Sequence, residues 1–205
     1  MLWHNHSFKL WYCVVVATHR EVSRRLYEIA ETQQGFFTTK QAKDAGYREN
    51  THTYHAKVGN WVREHRGIYR LAQFPPAEQP DLVRWALWSR NRQQEIEGVY
   101  SHLTALSLCG FSELNPSRLH MTVPSRFRRN SKVPDILILH YADLRESDVR
   151  SARGFKFTCP ERTILDLVEA LRQGIRHGRL TPEQIESACH TEPARELCAR
   201  ILRAV

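Results

Sequence analysis

The chain has no Cys-x-x-Cys pair, no Walker-type glycine-rich loop, no Gly-x-Ser-x-Gly elbow and no His-Glu-x-x-His. Each absence removes a class of protein, because zinc fingers, nucleotide hydrolases, serine hydrolases and zinc proteases need those residues at fixed spacing. Its five cysteines, Cys13, Cys109, Cys159, Cys189 and Cys198, are odd in number and scattered, which reads as reduced thiols in a cytoplasmic protein. Cys189, His190, Cys198 and His177 can be drawn together as a metal site, but their spacing matches no standard finger, so no metal and no cofactor is assigned. There is no internal repeat and no low-complexity tract.

Long apolar runs are missing too. Leu10 to Ala17 is far too short to span a bilayer, and no membrane partner is expected. The run resembles the apolar part of a signal peptide but lacks a cleavage site of the A-x-A kind. It reads better as an added β-strand or as a translated leader, and the leader is preferred because an amphipathic helix begins cleanly after Thr18. Clustered carboxylates are also absent. A metal-dependent nuclease needs several of them beside a lysine, and Asp135 has no Glu-x-Lys partner. A nucleotidyltransferase needs a Gly-Ser loop followed by paired aspartates, and neither occurs. No catalytic residue is assigned, and the chain does not read as an enzyme.

What the chain has is positive charge. Its 30 Lys and Arg outweigh 22 Asp and Glu, a net +8 with a pI near 9.5, which favours a polyanionic partner such as nucleic acid. The 205 residues suffice for two small domains. Residues 1–18 read as a leader or added segment, 19–74 as a winged helix-turn-helix, 75–80 as a stiff proline-rich linker and 81–205 as a mixed α/β domain. The fold class is therefore α+β.

Glu21 to Gln33 has helical spacing, with Val22, Leu26, Ile29 and Ala30 on one face and Gly35 as the stop. Phe36-Phe37 reads as a short strand. Thr38 or Thr39 caps a helix that Gly46 ends. The next helix starts at Asn50 or Thr51 and runs to about Asn60. Tyr54, Val58 and Trp61 are its expected buried face, which leaves Thr51, His52, Thr53, His55 and Lys57 outside. Hydroxyl, imidazole and amine groups at such a position suit base edges and phosphates. Val62 to Leu71 reads as a hairpin turning at Arg66-Gly67, a basic wing carrying Arg63, Arg66, Tyr69 and Arg70. The expected DNA-contacting set is Thr39, Lys40, Thr51, His52, His55, Lys57, Arg63, Arg66, Gly67, Tyr69 and Arg70.

Beyond the linker, Asp81 to Gln94 and His102 to Cys109 read as helices, the second capped by Ser101. Leu119–Val123, Ile136–His140 and Phe155–Thr158 read as strands of one small sheet. A helix begins at Pro160 with Ile164, Leu165, Val168 and Leu171 as its expected buried face and Asp166 on the other side. Two shorter helices follow, one after Thr181-Pro182 and one after Pro193. A second basic patch lies at Arg126, Arg128, Arg129 and Lys132, where Phe127 is placed to stack on an exposed base.

The order of three later segments adds a resemblance. Ser101-His102-Leu103-Thr104-Ala105-Leu106-Ser107-Leu108-Cys109-Gly110-Phe111 follows the wing, then His120-Met121-Thr122-Val123-Pro124, then Thr158-Cys159-Pro160-Glu161-Arg162-Thr163-Ile164-Leu165-Asp166. With the Arg-Gly-Ile-Tyr wing, this series resembles the AbiEi-type antitoxins, bacterial regulators of the abortive-infection, type IV toxin–antitoxin class. The likeness covers roughly Glu21 to Ala170. It implies an N-terminal DNA-binding domain that represses its own operon and a C-terminal domain that counters a nucleotidyltransferase toxin, with no stable complex required. Arg66, Gly67 and Tyr69 match the family's wing, and Arg162, Thr163 and Asp166 match its later motif. Read from the residues alone, Arg162 and Asp166 are four apart on a helix and can simply pair or brace the sheet. Two competing expectations are a protein-interaction module built on the winged helix and a cryptic nuclease.

Overall fold

In a computed structural model of the chain, residues 7–112, 116–179 and 181 are described. They divide into two compact units. The first is the chain up to Gly98 together with Ser151–Lys156; the second is Val99–Arg150 and the chain from Phe157 onward. The two C-terminal helices expected after Thr181 and Pro193 lie outside the described residues.

The first unit runs α1 (Ser7–Glu31), β1 (Phe36–Thr38), α2 (Thr39–Ala45), a 3-10 turn (Glu49–Thr51), α3 (His52–Lys57), β2 (Trp61–His65), β3 (Ile68–Leu71) and α4 (Pro80–Trp88). The helix α1 reaches back to Ser7, through the run read above as a strand or leader. Its buried residues Leu26 and Ala30 face the core. Gln34 and Gly35 then take left-handed backbone, at φ 52° and 88°, and reverse the chain. Only glycine fits the second position, because a Cβ there would stand 2.6 Å from the Phe74 ring.

A capping box starts α2. The Gln41 N–H donates to the Thr38 hydroxyl (3.2 Å), and the Thr38 N–H donates to Gln41 Oε1 (2.8 Å), so two otherwise orphaned donors are satisfied. The cap is therefore Thr38 rather than Thr39. Antiparallel pairing gives the strand order β1-β3-β2, with Phe37 opposite Tyr69 and Val62 opposite Arg70. Leu26, Ala30, Phe37, Ala42, Ala45, Trp61 and Tyr69 form the core, and the Phe37 and Trp61 rings meet edge-on at 4.9 Å. Beside it the buried amides of Gln33 and Gln41 bond one another, Arg90 donates to Gln33 Oε1, and the Thr38 hydroxyl donates to Gln94 (2.9 Å). Every interior amide in this set has a partner, which offsets its desolvation.

The second unit contains β4 (Val99–Tyr100), α5 (His102–Leu108), β5 (Leu119–Val123), β6 (Leu137–Tyr141), a 3-10 turn (Glu146–Asp148) and α6 (Pro160–Arg176). The strands β7 (Val149–Ala152) and β8 (Phe155–Thr158) complete a five-stranded sheet of order β6-β5-β4-β8-β7. The sequence reading expected three strands. It missed β4, only two residues long, and β7, whose residues are mostly exposed. β5 and β6 are parallel, so the 13 residues from Pro124 to Ile136 serve as their crossover. The basic patch sits on that crossover. No helix among the described residues is long and apolar enough to cross a membrane.

Candidate nucleic-acid interface

The helix α3 is short, and its orientation is set by the aromatic residue that opens β2. The His55 imidazole stacks on Trp61, with centroids 4.6 Å apart and planes 20° from parallel. His52 meets Trp61 at 5.5 Å and Tyr69 at 6.4 Å, and Tyr47 packs edge-on against both His55 and Trp61. The Asn60 amide donates to His55 Nδ1 (3.3 Å). His52 is only 5% exposed.

This rotation reverses the expected faces of α3. Tyr54 and Val58 were expected inside but are 60% and 48% exposed. His52, expected on the contact face, is interior, and His55 is half-buried. The physical reason is stacking: a flat imidazole fits against the indole of Trp61 at that position. Thr53, Tyr54 and Lys57 form the exposed part of the helix, with Arg48, Glu49 and Asn50 before it. Thr53 belongs to the outward face read from the sequence but not to the expected contact set, whereas Tyr54 belongs to the expected buried face. Tyr54 was missed because an aromatic residue at helical spacing with Trp61 looks like core.

Burial also lowers the pKa of His52, His55 and His65 below the usual imidazole value. Desolvation is the leading cause in each, since a buried ring is harder to charge. At neutral pH these histidines are uncharged, so attraction to an anion must come from lysine and arginine.

The segment expected to be a wing is the β2–β3 hairpin. Gly67 at φ 75° makes its tip, and its carbonyl accepts from the Thr39 N–H (3.0 Å), which ties the wing to the start of α2. Arg63 and Arg66 are exposed and make no ion pair among the described residues. Arg70 is different. Its guanidinium bonds Glu64 (3.0 Å), which also holds Arg84 (2.9 Å). Tyr69 is buried in the core, and Lys40 donates to the Arg92 carbonyl (2.6 Å). Thr51 is half-buried and its hydroxyl donates to the Arg48 carbonyl (2.6 Å). Of the expected set, Lys40, Lys57, Arg63 and Arg66 are therefore exposed cations, Lys40 with its amine on a backbone carbonyl, while His52, Tyr69 and Arg70 are held by the protein itself.

On the β5–β6 crossover, Arg126, Arg128, Arg129 and Lys132 are exposed. Phe127 is 4% exposed, which corrects its expected stacking role: it anchors the loop instead. Arg128 donates to the Phe127 carbonyl (2.8 Å), and Lys132 pairs with Asp135 (3.0 Å). In the later motif, Arg162 Nε donates to Asp166 (2.7 Å) and its guanidinium approaches Asp148 (3.6 Å). The Thr163 hydroxyl is buried, 2.7 Å from that of Thr158, and donates to the Cys159 carbonyl (2.8 Å).

These positions give the first unit an exposed helical surface beside a basic hairpin, and the comparisons with known proteins bear on the same stretch. Residues 24–72 match the family model described as "Transcriptional regulator, AbiEi antitoxin". The match thus spans α1 from Arg24 through the whole of the β2–β3 hairpin. A crystal structure of the RV2827C protein from Mycobacterium tuberculosis is similar at 15% identity and a TM-score of 0.45, covering 90% of this chain and 77% of that one. None of the curated proteins compared matches the chain.

Proposed function

We propose that the first unit is a winged helix-turn-helix that binds double-stranded DNA, and that the chain is a cytoplasmic antitoxin and autorepressor of the type IV class. The observation that carries this reading is the order α1-β1-α2-α3-β2-β3 with strand order β1-β3-β2, inside the stretch that matches the AbiEi regulators. In this reading α3 enters the major groove with Thr53, Tyr54 and Lys57 outward. Arg63 and Arg66 on the wing grip phosphate or the minor groove. The second unit counters a nucleotidyltransferase toxin, with no stable complex required.

Binding is tested by fluorescence anisotropy on DNA from upstream of the protein's own reading frame, against a scrambled duplex of equal length. At physiological salt, the upstream DNA binds about 1,000-fold more tightly or better. Equal affinity for both duplexes removes the autorepressor reading. A protein partner is the second reading, favoured by the exposed apolar groups Tyr54, Val58 and Val62 on α3 and β2. It predicts no DNA preference and a weak salt response.

A further inference from the structure

The proposed DNA contacts leave a compact group of histidines in the second unit unused. On β5 and β6, Thr122 lies opposite His140 and His120 opposite Ile138. Side chains alternate along a strand, so His120, Thr122 and His140 share one face of the sheet. His102 is the first residue of α5, two positions after β4. The preceding Ser101 N–H donates to the His120 carbonyl (3.1 Å), which fixes this corner against β5.

The three rings come together nearly parallel. His102 and His140 stack with centroids 3.7 Å apart and planes at 14°; His120 and His140 are 5.2 Å apart at 12°. His120 Nδ1 lies 3.0 Å from His140 Nε2. One ring nitrogen from each residue lies within 4.8 Å of the others. His102 holds left-handed backbone, φ 51°, in a non-glycine residue. Backbone of that kind is disfavoured and persists where the surroundings enforce it.

The surroundings are polar by construction. The buried Thr122 hydroxyl donates to Ser101 Oγ (2.7 Å), which lies 2.9 Å from His102 Nδ1. Thr104 Oγ1 accepts from the His120 N–H (2.9 Å). Asp166, 8% exposed, has one oxygen on Arg162 and a second, buried oxygen with no hydrogen-bond partner. Its negative charge is felt at His140. Burial and the neighbouring rings push His102 and His140 down to about 4, which leaves both rings neutral at pH 7, each with one unprotonated nitrogen.

We propose that His102, His120 and His140 form a binding site for one divalent cation of the zinc class, with Asp166 as a nearby counter-charge. Imidazole nitrogen suits zinc, cobalt, nickel and copper, whereas magnesium and calcium prefer oxygen. A tetrahedral zinc ion with bonds of about 2.0–2.1 Å sets its nitrogens about 3.3 Å apart. The 3.0 Å between His120 and His140 is close to that value and the His102 donor lies within 4.8 Å of both, so an ion is held once the stacked rings turn their nitrogens toward one centre. Three protein ligands leave a fourth position for water or another donor.

The full chain, stripped with chelator, is titrated with Co²⁺ and then Zn²⁺. The expected result is one equivalent of Co²⁺ with a visible d–d band, no thiolate charge-transfer band, and displacement by Zn²⁺. His102→Phe and His140→Phe each keep a ring in the stack and remove the nitrogen donor, so each lowers affinity about 100-fold or more. Circular dichroism and melting confirm that the variants fold. If one does not, ¹⁵N spectra of the wild-type histidines decide: Zn²⁺ must shift the three ring signals. No uptake by the wild type, uptake that survives both substitutions, a thiolate band, or unshifted histidine signals each overturns the proposal.

Discussion

Charging the His52 ring opposes folding. Its Nε2 is buried without a hydrogen-bond partner, and burial holds its pKa below the ordinary imidazole value. In the unfolded chain it takes up a proton near pH 6.5. Below that pH the unfolded state binds more protons than the folded state, so stability rises with pH through this window. The contribution is fully present above about pH 6.5 and is lost as pH falls toward the folded value. The melting temperature should be lower at pH 5.5 than at pH 7.5, and His52→Phe should narrow that gap; an unchanged gap would assign the acid sensitivity to other histidines. Arg66 tests the opposite kind of residue, an exposed cation at the wing tip. Arg66→Ala should weaken binding to every duplex and make the slope of log K against log salt shallower by about one. A loss confined to one sequence would mean that Arg66 reads a base.

At the scale of the element, α3 shows where sequence periodicity stops being informative. Spacing of three and four residues identifies a helix, but His52, His55 and Ala56 form one stripe and Tyr54 and Val58 its neighbour. Hydropathy favours the second stripe as core. The structure buries the first, because Trp61 offers the imidazoles a stacking surface. The same ambiguity appears in α6. Ile164 and Leu165 looked interior but are 52% and 64% exposed, while Thr163 and Asp166 point inward to hydroxyl and guanidinium partners. The rotation of α3 has a direct consequence. Tyr54→Ala should change affinity and sequence preference with an unchanged melting temperature. His55→Ala should lower the melting temperature and weaken binding to all duplexes alike. If His55→Ala instead shifts sequence preference in a fully stable protein, the stacked position of its ring is not the one that meets DNA.

Across the whole molecule, the sequence was most informative where signals are local. The Thr38-Thr39 pair, Gly46, the Arg66-Gly67 turn and Pro160 each marked an element boundary that the structure contains. Long-range features were invisible for a physical reason. The central place of β4, the parallel pairing of β5 with β6 and the gathering of His102, His120 and His140 all depend on strand register, which no short spacing encodes. The DNA-binding reading depends on a property of the assembled surface, its exposed and unneutralised charge. Lys40, Lys43, Arg48, Lys57, Arg63 and Arg66 are the exposed cations of α2, α3, the turn before α3 and the β2–β3 hairpin. The most direct test is the salt dependence of binding to the upstream duplex between about 50 and 200 mM salt. With about five phosphates neutralised, log K should fall against log salt with a slope of roughly −4 to −5. A slope near zero, with binding retained, would contradict the claim that this surface docks on DNA.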